Sequence, residues 1–99
     1  MHPSKVSRNK VMKLTDLPNI GQAGAADLVC LGITRPEQLL GLCPYAMYSQ
    51  LCAQTGVQHD PCVLDVFISL TRFMAGDAAQ PWWHFTAERK ATLHAQAIP

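Results

Sequence analysis

The chain has 99 residues, 48% of them apolar and only 15% charged, with a formal net charge of +1. That length gives one small core, the apolar content excludes intrinsic disorder, and no apolar run approaches the ~18 residues of a membrane span. Near neutrality excludes a strongly cationic nucleic-acid binder, and so low a share of charge predicts some apolar surface hidden against a partner.

The polar opening Met1-His2-Pro3-Ser4-Lys5 leads into no apolar stretch, so no secretory leader is expected and the cytoplasm is the expected compartment. Charge is uneven along the chain. Residues 1–15 carry Lys5, Arg8, Lys10 and Lys13 with no acid, for +4. Residues 16–60 carry Asp16, Asp27, Glu37 and Asp60 against Arg35 alone, for −3. The basic stretch Lys5–Leu14 is predicted to form the first helix, with Val11 and Leu14 facing inward; a solvated helix face gives the same charge pattern. A second helix runs from about Gly21 to Leu31, and Gly32-Ile33 predicts a Schellman end, with Ile33 folding back on the last turn. Thr34-Arg35-Pro36-Glu37 reads as a capping box, Thr34 at the N-cap and Glu37 at N3, opening a short helix that stops at Gly41.

Pro44 opens the next helix, which ends at Gly56 and buries Met47, Tyr48, Leu51 and Cys52 on one face. Asp60-Pro61 opens another, capped by Asp60 and running to Gly76. That helix is apolar almost all round, with only Asp65, Ser69 and Arg72 as a thin polar stripe. It is expected either at the centre of the core or as a face for a partner or a second copy. Pro81-Trp82-Trp83-His84-Phe85 forms an aromatic knot before a terminal helix opened by Thr86. No segment alternates with period two, so strands are not expected. The fold class is all-α, five to six short helices in one domain over residues 1–99.

The segment Leu17-Pro18-Asn19-Ile20-Gly21-Gln22-Ala23-Gly24-Ala25 lies between the first two predicted helices. It resembles the helix-hairpin-helix motif, whose usual form reads Leu-Pro-Gly-Ile-Gly. Pro18 stiffens the exit from the first helix, Ile20 plugs the crevice between the two, and Ala25 lets them approach. Asn19 replaces a glycine but tolerates positive φ. Gly21 lets a ligand approach the backbone. The amides that follow sit at a helix start, where free N–H groups and the helix dipole favour a phosphate. Gln22 and Ala23 stand where many such hairpins carry Lys or Arg, so the amides act with little local charge. Such a site grips the DNA backbone and reads no sequence.

Leu31-Gly32-Ile33, the short helix, and then Leu40-Gly41-Leu42-Cys43-Pro44 give a second turn between helices. The two units over residues 5–56 resemble the paired helix-hairpin-helix, SAM-like domain of DNA-repair and recombination proteins, with residues 61–99 as a helical extension and aromatic tail. The second turn lacks Gly-x-Gly and is expected to pack rather than bind. The whole string also resembles a family of small bacterial proteins labelled "pathogenicity locus", some called mitomycin resistance proteins. The residues that carry this are Leu17-Pro18-Asn19-Ile20-Gly21, Asp27-Leu28, Leu31-Gly32-Ile33, Leu39, Leu42, Asp60-Pro61-Cys62-Val63-Leu64-Asp65-Val66-Phe67 and Trp82-Trp83, within about residues 5–90. The Asp-Pro-Cys and Trp-Trp pieces are the specific ones. The resemblance implies a DNA-binding role.

Cys30, Cys43, Cys52 and Cys62 contain no Cys-x-x-Cys pair, so no zinc module is expected, and they read as reduced small hydrophobes that helices bury or cap. His59, Asp60 and Cys62 lack a fourth ligand. A reactive Cys62 is opposed by the neighbouring Asp60 carboxylate. Trp82 and Trp83 could stack on bases or a planar drug, or seal the core with one ring in and one partly out. No nucleophile–base–orienter set, phosphate loop or carboxylate pair occurs, so neither catalysis nor a cofactor is expected. The expectation is weak, sequence-independent binding of DNA backbone through Asn19, Gly21, Gln22 and Ala23. Lys10 and Lys13, with Lys5 and Arg8, supply attraction. The alternative is a protein-interaction or dimerisation module docking through helix 61–75.

Overall fold

Helix boundaries fall where proline and glycine place them. In the computed structural model, which describes residues 1–97, four helices carry the fold: α1 (Gln22–Cys30), α2 (Pro44–Thr55), α3 (Pro61–Met74) and α4 (Thr86–Ala97). Short 3-10 turns stand at Pro3–Lys5, Arg8–Lys10, Leu14–Asp16, Pro36–Leu39 and Trp82–Phe85, and no strand occurs among the described residues. Pro44 and Pro61 each open a helix, where a missing N–H costs little. Asp60 caps α3 by accepting from the Cys62 N–H at 2.9 Å. α1 closes in the expected Schellman motif. Gly32 takes φ +81. Its N–H reaches Val29 O, and the Ile33 N–H reaches Leu28 O, both at 2.9 Å. The Ile33 and Leu28 side chains are both buried, as the motif requires.

The basic opening departs from expectation. Lys5–Leu14 is not one helix: it passes through the turn at Arg8–Lys10 with Ser7 and Val11 in extended conformation. Lys5 with Arg8, and Lys10 with Lys13, would be like-charged i,i+3 pairs, and Val6, Ser7, Asn9 and Val11 are poor helix formers. Val11 and Leu14 do face the core. Arg8 is drawn away to the far end of α3. Its guanidinium lies 4.0 Å over the Phe73 ring. It donates at 2.6 Å to Phe73 O and at 2.6 Å to Asp77 O. A cation on the carbonyls at and just past a helix C-terminus is favourable, so Arg8 is a capping residue and leaves the group of free cations.

The turn after Thr34 is also tighter than expected. It is a 3-10 turn, and Gln38 rather than Glu37 closes its start: Gln38 Oε1 accepts from the Thr34 N–H at 2.6 Å and the Arg35 N–H at 2.9 Å. The paired hairpin unit expected over residues 5–56 therefore retains only α1 and α2 as α-helices.

α3 fills the centre. Leu17, Ile20, Leu28, Leu39 and Leu51 close on its Phe67, Leu70 and Phe73, while Leu64 and Ile68 pack with Phe85. Each such side chain contributes about 1.5–3 kcal/mol when fully buried. Only Pro61 and Arg72 of α3 are exposed, so the partner face expected on helix 61–75 is covered by the chain itself. Two of the three residues of the polar stripe, Asp65 and Ser69, are buried as well, and they hold neighbours in place. Asp65 is 0% exposed and accepts from Arg89 Nε at 2.9 Å and Thr86 Oγ1 at 2.8 Å, which fixes α4. One turn on, Ser69 accepts from Asn19 Nδ2 at 3.0 Å, which fixes the hairpin. The radius of gyration, 13.0 Å, is that of a folded chain of this length.

Candidate nucleic-acid interface

Asn19 has φ +66, the one positive φ at a non-glycine residue among those described. Its short amide side chain tolerates that conformation and here turns inward. Nδ2 donates to Ser69 Oγ and, at 2.9 Å, to Gln80 O, while the backbone N–H donates to Met1 O at 2.7 Å. All its donors are spent within the fold. Asn19 shapes the turn and has nothing left to offer a phosphate, contrary to its expected role. The Met1 amino group donates to Leu17 O at 3.0 Å and to Ile20 O, which ties the amino end to the same turn.

Ile20 is buried in the core, although the first of the two helices expected to flank it is replaced by 3-10 turns. The residue that gives it room is Gly24, where a Cβ would lie 3.0 Å from Ile20 Cδ1. Ala25, the small residue expected to let two helices approach, lies one position on and is half-buried against the core. Gly21 is different again. A Cβ there would meet nothing within 4 Å, so no neighbour in the fold requires a glycine, and the space beside its backbone is open.

α1, α2 and α3 begin in three distinct ways. The hydrogen-bond ladder of α1 starts with the Ala25 N–H, 3.0 Å from Gly21 O, and no side chain caps the helix. The amides of Gln22, Ala23 and Gly24 are left without an acceptor among the described residues. Gly21, Gln22 and Ala23 are all exposed. α2 begins with Pro44, which removes one donor from the same set. α3 carries its own anion, the Asp60 carboxylate, whose hydrogen bond from the Cys62 N–H holds the carboxyl below its usual range. The start of α1 combines a full set of donors with an empty cap position.

Two regions the sequence kept apart meet beside this helix start. Asn19, Ile20 and Gly21 form one side of a groove of about 390 Å³, and Trp82 and Trp83 line it with them, along with Met1, His2 and Pro3. Trp82 is half-buried and Trp83 is 61% exposed; their centroids lie 5.5 Å apart in an edge-to-face arrangement. The pair does not seal the core with one ring in, which is one of its expected roles: neither ring belongs to a core cluster.

The free cations lie outside this groove. Lys5 and Lys10 line a cavity of about 240 Å³ with Ser7 and Asp16. Lys13 is exposed, but Asp16 accepts from its backbone N–H and from that of Met12, each at 3.0 Å. Those bonds keep the Asp16 carboxyl below its usual range, so a local acid partly offsets the lysines. Lys10 and Lys13 are free at the surface, though neither lines the Gly21 groove.

The remaining candidates resolve plainly. All four cysteines are free; Cys52 and Cys62 are half-buried, Cys43 is exposed at the N-cap of α2, and Cys30, exposed in the last turn of α1, is the one neither buried nor capping. Burial pushes the Cys62 thiol up, and the Asp60 carboxylate adds to that, so Cys62 is not an activated nucleophile. His59 shares a 2.9 Å hydrogen bond between its Nε2 and Thr55 Oγ1. Among the described residues no three His, Cys, Asp or Glu side chains gather as metal ligands, and no helix is long and apolar enough to cross a membrane.

The fold defines a small all-α domain with an uncapped helix start beside an aromatic groove. The chain belongs to the pathogenicity-locus family, whose sequence model matches residues 7–91. It is 40% identical over 80 residues to mitomycin resistance protein McrB of Streptomyces lavendulae, a match covering 81% of this chain and 76% of that protein. No solved structure matches the chain.

Proposed function

We propose that this is a cytoplasmic, non-catalytic protein that binds DNA backbone weakly and without sequence preference. The observation that carries the reading is the start of α1: three amides without acceptors and a cap position with neither side chain nor Cβ, with Gly21, Gln22 and Ala23 at the surface. Such a helix start suits a phosphate oxygen by geometry and by dipole. Lys5, Lys10 and Lys13 supply the attraction, and Arg8 and Asn19 are structural. The alternative of a partner face on helix 61–75 has no such support, because α3 is enclosed.

With about two to four phosphates neutralised, log affinity falls against log salt with a slope of about −2 to −4. A titration of labelled duplex DNA at low and moderate salt tests this. The proposal predicts sequence-independent binding that weakens along that slope; no binding at low salt would overturn it.

A further inference from the structure

We propose that the groove between the hairpin and the aromatic turn receives the exposed base of an unpaired nucleotide, so that the protein prefers single-stranded or frayed DNA to intact duplex. This rests on the DNA-backbone reading and adds the substrate class to it. Its volume, about 390 Å³, falls in the range of small-ligand pockets, about 300–1,000 Å³. The groove is also built to keep its shape. Trp83 follows a half-buried Trp82, and the turn carrying both is anchored by buried Phe85 and runs directly into α4. On the opposite wall, the Asn19 side chain bonds to Ser69 of α3 and to Gln80 O, just before the aromatic turn. A largely exposed indole held this way loses little freedom when a flat ring lies on it.

Charge decides what kind of flat ring. The groove shares Met1 with the cavity lined by Lys5 and Lys10, and Gly21 at its edge leads into the free amides of α1. An aromatic face flanked by cations and open amides matches a nucleotide, whose base is planar and whose phosphates are anionic. A base inside duplex DNA has both faces covered by its neighbours. Away from the ends of a duplex, only an unpaired one can lie on Trp83 while its phosphates reach the amides or the lysines.

The test compares a labelled single-stranded oligothymidine with a blunt duplex of equal length, by anisotropy, for the parent protein, Trp83→Ala, Trp83→Phe and Gly21→Asp. Trp83→Ala is expected to weaken single-strand binding about tenfold and duplex binding less than twofold, with Trp83→Phe keeping most of the affinity. Trp83 is largely exposed and Trp83→Phe retains a ring, so folding is expected to survive; a thermal melt of each variant checks it. Equal losses on both DNA forms, or no loss on the single strand, would overturn the inference. If Gly21→Asp still weakens both forms in that case, backbone binding stands and only the base groove falls. If Gly21→Asp weakens neither, the backbone reading falls, and the base groove falls with it.

Discussion

The turn into α1 and the turn into α2 both use one left-handed residue, Asn19 at φ +66 and Gly41 at φ +78. Past that residue they diverge. Asn19 is bonded into the protein from both backbone and side chain, and the helix that follows starts with open amides next to an indole. Gly41 stands between exposed Leu40 and Leu42, and the helix that follows starts with a proline. A left-handed turn before a helix is thus no sign of a binding site. What separates the two is the number of donors left over and what stands beside them.

The comparison breaks most visibly through stability. Asn19→Val places a β-branched residue in left-handed backbone and deletes the bonds to Ser69 and Gln80; the expected loss is about 3 kcal/mol in chemical denaturation. Gly41→Val strains an exposed turn with no side-chain partner, and about 1–2 kcal/mol is expected. Equal losses at the two positions would mean that the Asn19 side chain does not brace the hairpin.

The cations separate next. Arg8→Gln gives up the bonds to the end of α3 and the contact over Phe73, at a cost of about 1–2 kcal/mol. The salt slope of DNA binding should not change. Lys10→Gln is expected to leave the melting temperature alone and to make the slope shallower by about 0.9. A reversed pattern would put Arg8 on the DNA and Lys10 in the fold.

The smallest effect concerns α3, which supplies its own anion. The Cys62 N–H lowers the folded-state pKa of Asp60, so the carboxylate contributes stability above the ordinary carboxyl range, and that contribution is lost as pH falls through the lowered value. Asp60→Asn keeps a cap but not the charge, and an acid titration of its stability should show a shallower decline than the parent's. An unchanged decline would show that the cap is not charge-dependent.

Local chemistry explains which of these features can be read from sequence. Pro44, Pro61, Gly32, Gly56 and Asp60 act on their own backbone or the next few residues, and the helix ends follow them. Lys5–Leu14 misleads because Arg8 is committed to carbonyls 65 and 69 residues away, a pairing no local pattern encodes. Asp65 and Ser69 read only as part of a thin polar stripe on an apolar helix, and the sequence does not show that each finds a partner across the fold, in Arg89 or Asn19. The candidate site divides the same way. The open amides follow from Gly21-Gln22-Ala23 itself, while the placing of Trp83 beside them depends on Gln80 reaching Asn19. Gly24 carries a readable signal, a glycine one turn after the buried Ile20, where a side chain would crowd it.

The central claim is that DNA sits on the start of α1 and not on the start of α2. Gly21→Asp and Gly41→Asp add the same charge at the two turns, so their affinities for duplex DNA at low salt compare the sites directly. At Gly21 a side chain meets no neighbour, and the introduced carboxylate caps α1; stability is expected to rise by about 0.5 kcal/mol while affinity falls about tenfold. Gly41→Asp is expected to lose some stability and to hold its affinity within about twofold. Equal losses of affinity at both turns, or none at Gly21, would contradict the account.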